Sequence, residues 1–297
     1  MRDGERPDGE LDPAAATATV EILANETRLR AVLALSRRQV ERPADPAVGF
    51  AELRRLADVE DSGNFAYHLD RLQGRFVTRT DAGYVLTDAG TQVASVLHAG
   101  TLAPGETVTH ETDHDCVVCG GDIEACATTG GVEFTCDSGH GFREIGLPAA
   151  ALKRGVDHAI CEATRRMLSD LETTATGVCA RCHQPVEWAL RAVDEAAGAY
   201  HTTARCTACA MVYGSPLVAW AVADWDVRAR LRLAGFDLLD LPPWELLDLP
   251  ASPPTLIDGD PSAAPAEAVF RLVFDVGERP FTVEMDGTAT VRSVEDK

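Results

Sequence analysis

Helical and strand-like hydrophobic periods fall in separate blocks along this chain, which points to an α+β protein assembled from several modules. Three observations carry that expectation. Residues up to Gly100 show helical periods around one short hairpin pattern, and residues 112 to 214 carry paired cysteines between strand-like pieces. Near the C-terminus Phe270, Leu272, Phe274 and Val276 alternate onto one strand face. At 297 residues the chain can build more than one core.

The charge balance describes the solvent before it describes a partner. Lys+Arg number 27 against 47 Asp+Glu, a formal net charge of -20, and Lys153 and Lys297 are the only lysines. Such a pattern suits an extreme halophile, where hydrated surface carboxylates keep a protein soluble in concentrated salt. Acidity alone therefore does not exclude nucleic acid. From Val20 to Thr80 ten arginines stand against nine acids, so this segment nets +1. No basic-apolar-small order marks a signal peptide, and no apolar run reaches the roughly 18 to 20 residues a membrane span needs. A cytoplasmic protein with no membrane partner is expected. In a reducing compartment its nine cysteines point to metal or redox chemistry before disulfides.

Residues 1–16 are polar, acidic and aperiodic, the composition of a disordered tail. A first domain is expected over residues 17–100. "TATVEILANETRLRAVLALSRR" reads as one helix with Val20, Leu23, Leu29, Val32, Leu33 and Leu35 at helical spacing and Arg28, Arg30, Arg37 and Arg38 outside. "VERPADPAVG" is a loop, and "FAELRRLAD" a short helix with Leu53 and Leu56 inward. Asp61 or Ser62 caps the next helix, in which Phe65, Leu69 and Leu72 form one buried stripe. Asn64, His68, Arg71 and Arg75 share a different face, with Tyr67 at its edge. "FVTRTDAGYVLT" is a hairpin turning at Asp81-Ala82-Gly83, and Thr87 caps a final helix that Gly100 ends.

Helix, short helix, capped helix, hairpin and helix is the order of a winged helix-turn-helix, whose capped helix enters the major groove of DNA. The residue types suit that task. Arg71 and Arg75 reach phosphates or guanine edges, Asn64 reads adenine, Ser62 bonds a phosphate, Tyr67 and His68 add base contacts, and Arg79 meets the backbone beside the turn. Each has a plainer reading: Arg71 and Arg75 as a solvated face, Tyr67 packed on its own domain, His68 bonded to backbone. Their convergence on one face of a correctly ordered fold favours double-stranded DNA.

These stretches resemble a known family. "NETRLR" in the first helix, His68-Leu69 and Leu72 in the recognition helix, and the "GYVLT" wing are similar to ArsR-type winged-helix regulators of the haloarchaeal kind, over about residues 20–100. The paired CxxC modules and "PPWEL" resemble the C-terminal region attached to some of those regulators. The resemblance implies a homodimer joined through terminal helices, here residues 18–38 and 88–98. Metal sensing does not carry over, because no cysteine precedes Cys116.

Two zinc-ribbon-like modules are expected next. Cys179-x2-Cys182, then 23 residues, then Cys206-x2-Cys209 is the spacing of two knuckles around a structural Zn2+ ion, in a module over 177–214. A module over 112–148 is irregular: Cys116-x2-Cys119 precedes Cys136, Gly139 stands where a second CxxC would close, and His140 follows. Cys136-x3-His140 completes a Cys3His set, with Cys126 a spare candidate. A redox pair or a ribbon held by packing alone are the competing readings. Cys161 reads as packing, His183 as lying outside coordination, and Trp188, Trp220, Trp225 and Trp244 as core.

A connecting helix spans 149–174, and 215–297 is a helical and β region: apolar helix over 216–249, a linker over 250–265, then a β-meander turning at Asp286-Gly287. No GxSxG, Walker loop or strand-following GxGxxG occurs, so no enzyme is expected. The sequence thus describes a dimeric DNA-binding regulator whose zinc-stabilised modules sense a small effector or contact a protein. The alternative is an adaptor that uses the winged helix only to dimerise.

Overall fold

Asn25 divides the first apolar period into two helices. Its side chain accepts the Arg28 amide at 3.3 Å, capping α2 (Glu26–Glu41) and setting it off from α1 (Pro13–Leu23). Asp12 caps α1 and Pro13 opens it, so ordered helix reaches into the segment expected as a tail. This is a computed structural model, described over residues 12–100, 102, 107–128, 131–143, 147–194, 199–247 and 249–297. The start of the expected tail, residues 1–11, lies outside the described residues. Mixed α+β structure falls into two compact units, Met1–Ala103 and Pro104–Lys297.

In the first unit α3 (Phe50–Leu56), α4 (Ser62–Leu72), β1 (Val77–Thr80), β2 (Gly83–Leu86) and α5 (Asp88–Ala99) follow α2. Val32, Leu35, Leu53, Phe65, Leu69, Leu72, Phe76 and Tyr84 make one core. Expected burial changes at Val20, which is 65% exposed, and at Leu56 and Arg38. Leu56 is 39% exposed, because α3 has only two turns and a single stripe of them, centred on Leu53, meets α2. Arg38 is buried rather than outside, and it donates to Glu52 of α3, which satisfies its charge. β1 and β2 pair antiparallel through Thr80↔Gly83, and Val48 adds a bridge to Tyr84. Gly83 holds φ 137° with Val48 backbone so close that a Cβ would sit 2.5 Å from its carbonyl oxygen, so the turn needs glycine.

The second unit opens with a meander of β3 (Val108–Asp115), β4 (Asp122–Thr128), β5 (Gly131–Cys136) and β6 (Gly141–Arg143). Gly155, at φ 104°, splits the expected connecting helix into a 3-10 segment (Ala149–Arg154) and α6 (Val156–Ala175). β7 (Val186–Asp194), β8 (Ala199–Cys206) and β9 (Val212–Pro216) form a three-stranded antiparallel sheet. α7 (Leu217–Ala221), α8 (Trp225–Leu233) and two short 3-10 turns lead to a final meander of β10 (Thr255–Asp258), β11 (Val269–Phe274), β12 (Phe281–Asp286) and β13 (Val291–Asp296). β10 lies inside the stretch expected as a linker, because Thr255 and Leu256 find backbone partners on β11 that local composition does not reveal.

α6 is shared by two cores. Ala159, Ile160 and Ala163 pack with Ile123, Val132, Phe134 and Trp244, whereas Leu168 and Leu171 join Trp220, Leu231, Phe270, Leu272, Phe274 and Val283. A 20-residue helix spans about 30 Å, enough to serve both. Trp244 of "PPWEL" closes on the first meander of this unit: it lies 5.5 Å from the Phe134 ring and the His114 ring, and Thr164 on α6 donates to the Leu241 carbonyl at 2.6 Å. Trp220 is buried and Trp188 packs against it. Trp225 departs from expectation, being 69% exposed, since Val227 and Leu231 define the inward face of α8. No helix among the described residues is long and apolar enough to cross a membrane.

Candidate metal centres and nucleic-acid interface

Four short turns bring the cysteines together. In two of them the amide four residues after the first cysteine bonds back to its carbonyl, Gly120 to Cys116 and His183 to Cys179, at 2.7 and 2.9 Å, and Ala210 occupies the equivalent place after Cys206. Gly120, His183 and Ala210 all take positive φ, at 70°, 57° and 56°. For the two residues that carry a Cβ this conformation costs on the order of 1–2 kcal/mol, a local strain held where the thiols converge. The fourth turn is tighter. Gly139, three residues after Cys136, takes φ 79° and bonds the Cys136 carbonyl at 2.8 Å. His140 then reaches back with its longer side chain from the position the other turns leave to backbone.

The outcome is two sets of four donors, Cys116, Cys119, Cys136 and His140, and Cys179, Cys182, Cys206 and Cys209, each with all donor atoms within 4.8 Å of one another. In the second set Cys179 to Cys209, Cys182 to Cys206 and Cys182 to Cys209 are 3.7, 3.4 and 3.5 Å apart, sulfur to sulfur. In the first, Cys119 and Cys136 sulfurs lie 3.6 Å apart, and His140 Nδ1 lies 3.7 Å from Cys116 and 3.5 Å from Cys136. A disulfide needs about 2.05 Å, and all nine cysteines are free thiols. Both sets can hold a metal ion.

The spare residues separate cleanly. Cys126 sits on β4 between Thr109 and Glu133, with its sulfur 3.6 Å from the Thr109 hydroxyl, and belongs to neither set. His183 also stays outside, because it occupies the strained turn position and is exposed. Cys161 is half-buried on α6.

Protonation follows the same geometry. Burial pushes the Cys179 thiol up, but the Tyr213 hydroxyl, the Cys182 and Arg181 amides and the Cys209 thiol outweigh it and bring it down to about 6. Cys209, despite the Met211 amide, is pushed up to about 12 by burial and by the sulfurs of Cys182, Cys206 and Cys179. In the first set the Gly121 amide, the Ser138 hydroxyl and His140 lower Cys119 to about 6, while burial raises Cys136. A divalent cation held by either set would take the place of the thiol protons.

The other candidate site lies on α4. Asp61, not Ser62, is its cap, accepting the Asn64 amide at 2.8 Å. Phe65, Leu69 and Leu72 are buried, while Ser62, Asn64, Tyr67 and Arg71 are exposed. Two residues depart from the expected face. α4 ends at Leu72 and Gly74 takes φ 78°, so Arg75 is exposed on the following turn and not on the helix. His68 is half-buried and its Nδ1 is enclosed without a hydrogen bond; burial and the nearby Arg28 lower its pKa. Arg79 on β1 lies 5.8 Å from the Tyr84 ring centre and remains exposed.

Sequence reading missed the groups behind the second cysteine set. Tyr213 Oη lies 3.5 Å from Cys179 Sγ, and Arg181, inside the first turn, pairs with buried Asp170 of α6 at 3.1 Å. Only the position of Arg181 between two ligands hinted at this, since Tyr213 and Asp170 are separated from Cys179 in sequence.

Comparison with known families agrees with the division between Ala103 and Pro104. Residues 16–97 match the family model described as Domain of unknown function (DUF7347). The chain belongs to the family described as Domain of unknown function (DUF7351), whose model matches residues 113–291. No curated protein and no solved structure matches the chain.

Proposed function

We propose that this chain is a DNA-binding transcription regulator acting as a dimer. The first unit serves as a winged helix-turn-helix with α4 in the major groove, and the second as a zinc-stabilised body that senses an effector or meets a partner. One observation carries the reading: α4 commits Phe65, Leu69 and Leu72 to the core and leaves Ser62, Asn64, Tyr67 and Arg71 uncovered. Arg75 follows on the next turn and Arg79 stands beside the hairpin tip, where phosphates pass in such complexes. His68, half-buried, supports the helix more than it reads bases.

Acidity does not defeat this. In about 1 M salt the Debye length is about 3 Å, so repulsion from the acidic body is screened along with long-range attraction. Short hydrogen bonds and bidentate arginines then supply the affinity. Dimerisation is supported by α1, whose eleven residues include one charge, Glu21, and none that is buried. Such a helix is suited to meet a second copy.

Zinc is favoured by the donor geometry. Tetrahedral bonds of about 2.3 Å to sulfur and 2.0–2.1 Å to nitrogen place ligands about 3.8 Å apart for two sulfurs and about 3.5 Å for a sulfur and a nitrogen. The separations of 3.4–3.7 Å match. With all four positions taken by protein, a zinc ion there would supply structure rather than an open catalytic position.

The test is binding of the full chain to sites found by crosslinked-DNA mapping in its own host. Arg71→Ala should weaken binding by about 1–3 kcal/mol, whereas Arg232→Ala should not. Equal binding by the wild type and a combined Asn64→Ala, Arg71→Ala variant would end the reading. An adaptor would then take its place, favoured by the exposed stripe of Trp225, Ala229 and Leu233 on α8, where the tryptophan is 69% and the leucine 72% exposed.

A further inference from the structure

We propose that Tyr213 and the Asp170–Arg181 pair are positioning residues of the four-cysteine centre, and that through them this centre holds its metal more tightly than the Cys3His centre. The inference rests on the metal reading above and goes beyond it, since ligand spacing says nothing about which centre lets go first.

Three contacts build the case. The Tyr213 hydroxyl lies 3.5 Å from Cys179 Sγ, within hydrogen-bond reach of that ligand sulfur. The Arg181 amide adds a second donor to the same sulfur at 3.4 Å. The Arg181 side chain pairs with Asp170 at 3.1 Å, and Arg166 pairs with the other oxygen of that carboxylate at 3.3 Å. Asp170 is only 7% exposed and sits on α6, between Leu168 and Leu171 of the main core. The turn between Cys179 and Cys182 is therefore clamped to a buried helix, and its first sulfur is fully enclosed.

The Cys3His centre is supported differently. Its outer donors, the Gly121 amide and the Ser138 hydroxyl, serve Cys119, which is exposed. A ligating imidazole is normally fixed by a hydrogen bond from its second nitrogen. His140 uses Nδ1 toward Cys116 and Cys136, and among the described residues no acceptor stands at its other nitrogen. Ligand orientation there depends on one tight turn.

Thiol footprinting of the full chain decides the matter. The protein is loaded with Zn2+, challenged with a chelator, and pulsed with an alkylating agent whose sites are read by mass spectrometry. Loading with Co2+ gives a parallel readout through the sulfur-to-cobalt charge-transfer band. In the wild type Cys116, Cys119 and Cys136 should become reactive first. Tyr213→Phe should speed opening of Cys179, Cys182, Cys206 and Cys209 by about 10–100-fold and shift the charge-transfer band, leaving the first set unchanged. Ser138→Ala should do the reverse. Should Tyr213→Phe disturb the fold, seen in near-ultraviolet circular dichroism, Asp170→Asn gives the same discrimination. Opening of the four-cysteine set first, or wild-type rates in both Tyr213→Phe and Asp170→Asn, overturns the proposal alone. Identical reactivity with and without metal overturns the metal reading as well.

Discussion

The two units of this chain solve the problem of burying a core in different ways. The first has no cysteine and builds one core from α2, α3, α4, α5 and the β1–β2 hairpin, with helix caps at Asn25, Asp61 and Thr87. The second consists of three small antiparallel sheets packed with α6 and shorter helices around two cores, and two donor sets draw together the turns that carry its cysteines. Sheets of three or four short strands bury little on their own, so small folds of that kind commonly need a metal or disulfide. The lesson is that the regions should differ in what destroys them.

Metal removal is the strongest way to break that contrast. Structural zinc contributes apparent free energies of about 10–16 kcal/mol in zinc-finger peptides at pH 7, so on the zinc reading proposed above a chelator should unfold the second unit while the first keeps its helical signal. Limited proteolysis with and without chelator reads this directly. Cleavage confined to the first unit, or absent from both, would show that the cysteine sets are not what holds the second.

Core truncations sharpen the contrast from each side. Phe65→Ala and Trp244→Ala remove fully buried rings and should each cost about 3–5 kcal/mol. Phe65→Ala should lower the melting temperature of the first unit with metal content unchanged. Trp244→Ala should loosen the turns around Cys116 and Cys136 and lower the zinc-to-protein ratio measured by elemental analysis. Equal zinc content in the two variants would mean that the ring is not what couples the core to the first centre.

A smaller effect is expected at the α4 cap. Asp61→Ala removes the acceptor for the Asn64 amide and should cost about 1 kcal/mol, read by thermal unfolding. Serine at the same position should restore most of the loss; a variant with no loss would locate the cap elsewhere.

The smallest is a pH effect at His201. Burial, with Arg191 adding, holds this imidazole below its usual value. Because the unfolded chain binds that proton more readily, the neutral ring favours folding fully above about pH 6.5 and loses that contribution as pH falls through the lower folded value. His201→Asn should flatten the stability of the second unit against pH below about 6.5, measured by denaturant titration. An unchanged slope would assign acid sensitivity to other groups.

How much of this was legible depends on how local the cause is. The Phe65, Leu69, Leu72 stripe and the face opposite it follow from a 3.6-residue period. Its end did not: Arg75 fits the same period, yet Gly74 turns the chain after Leu72. Asn25 interrupts a period that apolar spacing alone reads as continuous. The metal sets were legible from spacing, including His140 over Cys126, though the reason appeared only with the turn at Gly139. Leu56 and Trp225 misled because an apolar residue on a short helix is inward only if a neighbour covers that face.

By itself the amino-acid sequence determined which residues could gather charge, sulfur and apolar surface: periods, turn formers and CxxC pairs act over a few residues, where the chain has little freedom to do otherwise. The tertiary structure alone decided that α6 serves two cores, that Trp244 closes on Phe134 and that Tyr213 stands behind Cys179. Those contacts join residues far apart in the chain, and the packing that selects among such pairings depends on every other element being in place.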